Sequence, residues 1–538
     1  MQKTSDLFVA CLEAYGAKYV FGVPGEENLD LVESLRTSSI QLIVTRNEQT
    51  AVFMAATYWR LTGHTGVALA TLWPGATNMM TGVAYAQLWG MPVLVITGQK
   101  PIKQSKQGKF QVIDVVGMMK PVTKFSSVIV DGARVPSLLS HAFVTAENEK
   151  PGAVHLELPE DIAGEMVEDH FGPINYEKIR RPIPDQKAIQ SIIQKLEQAK
   201  HPMILIWAGA NRKRVTKYLT KFIEKHDIPF FTSQMGKWVI DERLSQWIGT
   251  AALTSGDHLH AAIQQADLIL AIWHDTVEKP TNIIQKWKTD IIHISFVEAE
   301  FDELYKPSLQ VIWDIGNTIR QMHESQIDSS DRDHTSIYDT AKKAAETLHR
   351  HAKSHYDHPV MMPGRLIYEI REVLWEHDIV ALDNGLYKVW FARNYPCYHP
   401  DTLLLDNALA TMGAGYSSAM MAKMLHPDQQ VVAIAWDGWL VMNLWDIETA
   451  VRLGNDLTIL ILNDNAYGMI KRKQINHDYT DFGLDLTNPD FVALANSFGA
   501  KGYRIDNPDD FKSEFTKIIT ESWVKIVEVP FAYPDKIE

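Results

Sequence analysis

The segment Val431–Gln474, VVAIAWDGWLVMNLWDIETAVRLGNDLTILILNDNAYGMIKRKQ, reads as strand, acidic turn, helix, strand, acidic turn. Its apolar runs Val431–Ala435 and Leu457–Leu462 are short and rich in β-branched residues, as strands buried on both faces are. Met442, Leu444, Ile447, Val451 and Leu453 recur between them at roughly helical spacing and predict one crossover helix. A right-handed crossover places both strands in one parallel sheet, with their carboxyl ends on the same edge. Asp437 and Asp464 each follow a strand directly, so they are expected together at the edge where open α/β sheets bind ligands. Either Asp alone suits a helix cap. The pair suits Mg²⁺ bridging protein to phosphate oxygens.

Outward from this segment the same alternation continues. Gln41–Thr45, Val67–Leu72, Val93–Thr97 and Val154–Leu158 read as buried strands, with helices around Ser5–Tyr15 and Glu48–Leu61. Pro173, Pro182 and Pro184 lie in an aperiodic stretch, 169–186, that reads as a linker. A second unit carries strand candidates Met203–Trp207, Phe230–Thr232, Leu268–Ile272 and Ile291–Ile294. Trp207-Ala208-Gly209-Ala210-Asn211 follows its first strand without forming a dinucleotide fingerprint, so a nucleotide site and a purely structural domain both remain open. Polar residues near 325–360 form a second linker with a helical part. A third unit begins at His358, includes a strand over Ile379–Leu382 and carries the opening segment. The fold class is α/β, with three doubly wound parallel-sheet domains.

The chain has 538 residues and a formal net charge of −14, which disfavours nucleic acid and anionic membrane as partners. Two cysteines, Cys11 and Cys397, are too few for a disulfide framework or a zinc site. The amphipathic start lacks the apolar core of a signal peptide, and no apolar run is long enough to span a bilayer, so a cytoplasmic location is expected. Fifteen Trp is about twice the usual share.

Asp437-Gly438, followed by Asn463-Asp464-Asn465 with the two Asp 27 residues apart, resembles the thiamine diphosphate signature. Ala410-Thr411-Met412-Gly413 and Asn465-Ala466-Tyr467-Gly468-Met469-Ile470 are similar to acetolactate synthases of the FAD-independent kind, and the similarity runs from FGVPGEENLD to SFGAKGYRI. The resemblance implies a pyrimidine-binding domain (1–168), a central Rossmann-like domain (187–325) and a diphosphate- and Mg²⁺-binding domain (358–538). It implies an active site between subunits of a homodimer or homotetramer, and FAD is not expected.

Site residues follow from the same resemblance. Glu48, in Thr45-Arg46-Asn47-Glu48-Gln49, taken alone suits the first turn of a helix. The resemblance makes it the essential acid. A protonatable carboxyl at N1′ of the aminopyrimidine favours the imino tautomer, whose 4′ nitrogen removes the thiazolium C2 proton, and an apolar pocket would raise its pKa. Asn47 stands where His is usual. Pro24, Gly25, Pro74 and Asn78 are implied on the pyrimidine side, Pro74 and Asn78 within Leu72-Trp73-Pro74-Gly75-Ala76-Thr77-Asn78. Asn384, Gly385 and Leu386 are implied as a loop whose backbone N–H groups approach the diphosphate, and Met412 as the apolar wedge under the cofactor. Asp437, Gly438, Trp439, Asp464, Ala466, Tyr467, Gly468 and Met469 are implied around the diphosphate. Asp437, Asp464 and the Ala466 carbonyl are the implied magnesium ligands.

Related decarboxylases pair two adjacent His in the first domain with a Glu just past the second metal ligand. Here those positions read Gly108-Lys109-Phe110-Gln111 and Ile470. Phe110 and Gln111 match the synthase pattern, which favours joining the activated two-carbon unit to a second 2-oxo acid. The chain also departs from the family. Trp436 occupies the first Gly of the diphosphate motif, and Trp439 a position usually small. Trp59, Trp73, Trp89 and Trp207 stand at expected glycines, Ser417 replaces Pro and Tyr387 replaces His. Lys473 stands where FAD-dependent synthases carry a Trp that selects the second substrate. A phosphate-loop Gly permits positive φ and close backbone approach, and Trp does neither easily. The expected reaction is decarboxylation of pyruvate or a related 2-oxo acid with carboligation. The alternatives are a decarboxylase releasing an aldehyde, and a folded homologue, natural or engineered, whose Trp residues impair cofactor binding.

Overall fold

The structure is a computed structural model that describes every residue except 104–107, 109, 175–180, 211–212, 252–257, 276, 279–288, 302–304, 330–331 and 535–538, together with the side chains of 213–214. Three parallel sheets of six strands organise the chain. The first contains β1 (Tyr19–Gly22), β2 (Gln41–Val44), β3 (Gly66–Ala70), β4 (Val93–Gln99), β5 (Phe125–Val128) and β6 (Ala153–Pro159), in the order β2-β1-β3-β4-β6-β5. The second contains β7 (Pro202–Ile206), β8 (Phe230–Thr232), β9 (Trp247–Thr250), β10 (Leu268–Ile272), β11 (Asp290–Ser295) and β12 (Leu309–Ile312), in the order β9-β8-β7-β10-β11-β12. The third contains β13 (Ile379–Leu382), β14 (Leu403–Leu404), β15 (Val431–Trp436), β16 (Thr458–Asn463), β17 (Lys501–Arg504) and β18 (Lys525–Pro530), in the order β14-β13-β15-β16-β18-β17.

The first and third sheets therefore share one strand order, although the sequence shows no repeat between them. In each, the winding reverses between the first and third strands in chain order. That reversal leaves a crevice at the carboxyl ends of β1 and β3, and another at β13 and β15. The central sheet has the order of dinucleotide-type folds, with its reversal between β7 and β10. Its residues Trp207 and Trp273 stand directly after those two strands. A methyl carbon built on Gly209 would lie 1.9 Å from the Trp273 ring, so the indole rests on bare backbone there. Trp273 itself takes φ +53°, a conformation ordinarily left to glycine.

The segment that opens the sequence folds as expected in its strands and differently in its connection. β15 and β16 pair in parallel with Ala435 opposite Ile461 and Trp436 opposite Leu462. The predicted single crossover helix is two short ones, Asp437–Met442 and Asp446–Arg452. The break at 443–445 falls where Asn443 meets a distant part of the chain. Asn443 turns out of helical geometry, and its side-chain oxygen lies 2.9 Å from where a Cβ on Gly413 would be.

The second of these helices docks the first domain onto the third. Asp446 is fully buried. One carboxylate oxygen accepts from the Arg46 backbone N–H at 2.9 Å, and the other from the Thr50 hydroxyl at 2.6 Å. Arg46 and Thr50 flank Glu48, so this contact fixes the turn that presents the acid. The helix Glu48–Thr62 lies against the helix Ala414–Leu425, with the Thr57 and Ser418 hydroxyls 2.8 Å apart. Replacing Asp446 by Ala leaves a part-buried N–H and a buried hydroxyl without their acceptor, at a cost of about 2–4 kcal/mol. The expected result is an apparent Tm lower by roughly 4 °C or more in a calorimetric scan. An unchanged Tm would show that the docking does not depend on this carboxylate.

Candidate active site

Two groups of polar residues stand at sheet edges, one on each outer domain. The first gathers at the carboxyl edge of β1, β2 and β3. Glu48 opens the helix Glu48–Thr62, and Asn47 caps it by accepting from the Gln49 N–H at 2.8 Å. The unusual Asn47 thus has a structural job as a helix cap. Glu48 is 9% exposed, and its Oε2 accepts from the Asn78 amide at 3.0 Å. Its Oε1 lies 3.1 Å from where a Cβ on Gly75 would be, so the turn after Pro74 closes over the carboxyl. Pro24 and Gly25 follow β1, and Gly25 sits so close to Thr71 that a methyl there would lie 2.5 Å from the Thr71 Cβ. Beneath them Glu27 and Lys100 form a buried ion pair at 2.5 Å.

The second group stands at the carboxyl edge of β13, β15 and β16. Asp437 is fully buried, and one of its carboxylate oxygens has no hydrogen-bond partner among the described residues. The other accepts from the Asn488 amide. That amide also points at the side-chain oxygens of Asn463 (3.0 Å) and Asn465 (3.1 Å), so Asn488 ties both acidic turns together. Burial pushes the Asp464 carboxyl up to about 7, and the Asp437 charge beside it adds to the shift. Burial also raises Asp437, against the opposing effect of Asn488. Asn465 takes φ +54° and turns the chain into Ala466 and Tyr467. The turn is pinned by antiparallel contacts from the Tyr467 N–H to the Leu484 carbonyl (3.2 Å) and from the Leu486 N–H to the Asn465 carbonyl (2.9 Å). A methyl on Gly468 would lie 2.8 Å from the Asp464 carboxylate, so only glycine lets the turn close there.

The third member of this edge is the β13 loop. Asp383 is buried and accepts from the backbone N–H groups of Asn384 (2.6 Å), Gly413 (3.0 Å) and Gly415 (3.0 Å). It thereby locks Asn384-Gly385-Leu386 to the start of the helix that follows Met412. Met412 is half-buried against the core of this domain. The Lys388 ammonium holds the Asn384 side-chain oxygen at 2.8 Å.

Residues 2–118 match the thiamine pyrophosphate enzyme N-terminal TPP binding domain, 189–322 the central domain and 383–529 the C-terminal TPP binding domain. The chain belongs to the thiamine pyrophosphate enzymes. Within that family it resembles acetolactate synthases over almost its whole length. It is 29% identical to "Acetolactate synthase" of Bacillus subtilis (strain 168), covering 99% of this chain and 94% of the relative. It is 27% identical to "Acetolactate synthase, catabolic" of Raoultella terrigena, over 99% and 95%. A "Probable acetolactate synthase large subunit" of Methanocaldococcus jannaschii is 28% identical over 98% and 91%.

Whether this thiamine diphosphate enzyme has room for its cofactor is a separate matter. The acidic pair fits a cation: burial raises both carboxyls, the Asp437 charge raises Asp464 further, and one Asp437 oxygen has no partner among the described residues. The crevice beside it does not fit a diphosphate in this conformation. The Trp436 indole spans it from β15 to the β13 loop, its N–H donating to the Asn384 carbonyl at 2.9 Å. A methyl on Gly438 would lie 2.2 Å from that ring, and one on Gly385 3.1 Å from it. The Asn384 N–H, expected to face a diphosphate, instead serves Asp383. Trp439 points elsewhere, fully buried in the core with its ring 6.2 Å from that of Tyr416.

Phe110 is 68% exposed and Gln111 takes φ +54°; no described contact joins either to Glu48, and Lys109 lies outside the described residues. Ala466 is buried, and its carbonyl accepts from the Gly468 N–H at 3.0 Å. Met469 is partly exposed. Asp383, Asp446 and Asn488 were not singled out by sequence. Asn488 sits in Thr487-Asn488-Pro489-Asp490, which reads as an ordinary turn before a helix, and nothing in its spacing points to Asp437.

Burial pushes the Asp383 carboxyl up to about 7, despite the backbone N–H groups that favour its charged form. A carboxyl raised above its unfolded value near 3.9 contributes stability at low pH and loses that contribution as pH rises through about 7. The Tm advantage of the wild type over Asp383→Asn, which does not titrate, is therefore expected to shrink between pH 5 and pH 8. Parallel Tm curves for the two proteins across that range would contradict the assignment.

Proposed function

We propose that this chain, with thiamine diphosphate and Mg²⁺, decarboxylates pyruvate or a related 2-oxo acid and joins the two-carbon unit to a second 2-oxo acid. The observation that carries the reading is the survival of both polar groups: Glu48 held by Asn78, and buried Asp437 beside half-buried Asp464, with one Asp437 oxygen unpartnered among the described residues. The relatives' names, along nearly the whole chain, point to the same reaction.

In this reading residues 1–168 bind the pyrimidine, 187–325 form the central domain, and 358–538 bind diphosphate and metal. Asp437, Asp464 and the Ala466 carbonyl would hold Mg²⁺, a hard cation served by oxygen donors. The cofactor, when bound, supplies an acidic carbon and an electron sink. The chain's own work is narrower. Glu48 would present its carboxyl to the aminopyrimidine, Asn78 fixes the orientation of that carboxyl, and the Gly75 turn shields it from water. Ile470 and the 108–111 segment provide no acid or His pair to protonate the two-carbon unit, which favours its transfer over release as an aldehyde. Phe110 and Gln111 would face the second substrate. Glu48 and the acidic pair take their hydrogen bonds from their own domains, which suits a homodimer or homotetramer whose site joins domain one of one subunit to domain three of another.

Pyruvate with saturating thiamine diphosphate and Mg²⁺ is expected to yield CO₂ and acetolactate; CO₂ with free aldehyde alone would make the chain a decarboxylase. Glu48→Gln is expected to lower turnover by about 100-fold or more while leaving the circular dichroism spectrum unchanged. Retained turnover would remove Glu48 from its role.

A further inference from the structure

We propose that Trp436 is an internal plug: its indole occupies the space of the cofactor's diphosphate, so that indole and cofactor compete for one crevice. The inference rests on the family reading only for the identity of the competitor. The occupancy is read from this chain.

Four observations place the ring. Trp436 is the last residue of β15, at the point where the third sheet reverses its winding, the natural ligand crevice of such a sheet. Its N–H donates across that crevice to the Asn384 carbonyl of the β13 loop at 2.9 Å, bridging the two lips. The ring lies on the bare backbone of Gly438 and shares that of Gly385 with the Tyr387 ring, which a methyl there would meet first, at 2.5 Å. Methyl carbons built on Gly438 and Gly385 would lie 2.2 Å and 3.1 Å from the indole. Glycine at such positions ordinarily lets a ligand approach backbone closely, and here the approaching group is the chain's own indole. Finally, the Tyr467 ring meets the indole edge-on at 5.2 Å, and only 8% of Trp436 is exposed.

The arrangement leaves the metal end of the site open in chemistry but closed beside it. Among the described residues Asp437 keeps an unpartnered oxygen one residue from the ring that fills the neighbouring space. A diphosphate can reach that oxygen's metal only if the indole leaves Asn384 and swings off Gly438. Apparent affinity then falls in proportion to the fraction of molecules with the ring displaced. If that fraction is about 1%, the apparent Kd rises about 100-fold. Two other tryptophans of the family motifs do not act this way. Trp439 is core, and Trp73 stands exposed on the first domain.

Isothermal titration of the full-length protein in Mg²⁺ tests the plug, with thiamine diphosphate, inorganic pyrophosphate and thiamine as three separate probes. Trp436→Gly is expected to bind thiamine diphosphate about 100-fold more tightly than wild type, with pyrophosphate showing a gain of similar size and thiamine none. Trp436→Phe keeps a ring but loses the hydrogen bond to Asn384. It is expected to fall between the two, and it carries the test should the Gly variant not fold. Wild-type affinity within threefold of both variants would overturn the plug, as would an equal gain for thiamine. The two proposals fail separately. A Gly variant that binds tightly yet releases no CO₂ from pyruvate overturns the reaction and leaves the plug standing. A wild type that binds as tightly as the variants and makes acetolactate overturns the plug alone.

Discussion

The third domain depends on a parallel pairing that forces two carboxylates together. β15 and β16 lie in register up to Trp436 opposite Leu462, and each strand is followed within two residues by an Asp. The strands are buried on both faces, so a slip of one residue would turn apolar side chains away from the helices that cover them. The repulsion at the strand ends is therefore a consequence of the core and not separable from it. Among the described residues neither Asp forms an ion pair; burial raises both carboxyls, and repulsion from Asp437 adds to the shift at Asp464. Asn488 relieves part of it with a single amide, which can donate but cannot neutralise. A divalent cation would neutralise both.

That pairing was legible in the sequence because buried parallel strands leave a strong mark. Phe230–Thr232, Leu268–Ile272 and Ile379–Leu382 read with their observed limits, each a short apolar run between polar turns. Two edge strands left no such mark. Lys501–Arg504, KGYR, is half-buried and polar, and Phe125–Val128, FSSV, has no fully buried residue. Their place comes from a neighbour already in the sheet, which local pattern does not encode. The crossover helix was legible as helix but not as two helices, since the break answers to Asn443 meeting a distant Gly413. Asn488 was invisible for the same reason: its importance is a contact across the fold.

Backbone and side chain tell different histories in the central domain and its border with the first. Trp238 and Trp273 keep positive φ, +68° and +53°, conformations that favour glycine and cost a bulky residue strain. The surroundings compensate in part. The Arg60 guanidinium lies over the Trp89 ring at 5.0 Å and over the Trp238 ring at 4.7 Å, and Trp89 donates its N–H to Asp406. The first and third sheets likewise keep one strand order with no shared sequence. Topology follows from which faces are buried, so it tolerates replacements that a binding crevice does not.

Two kinds of residue therefore carry separate information about the active site. Carboxylates and amides specify what is bound, because only charge and hydrogen bonding distinguish a metal diphosphate from water. Glycines specify whether there is room, because only an absent side chain lets backbone meet ligand. In this chain the first set persists at Glu48, Asn78, Asp437 and Asp464. The second set persists at Gly385 and Gly438, yet the space above Gly438 is taken by the ring of Trp436, and that above Gly385 by the rings of Tyr387 and Trp436. A match to the family rests on the whole chain and barely registers one indole, whereas binding is decided within that indole's reach. Membership of the family and capacity for its chemistry thus rest on different atoms.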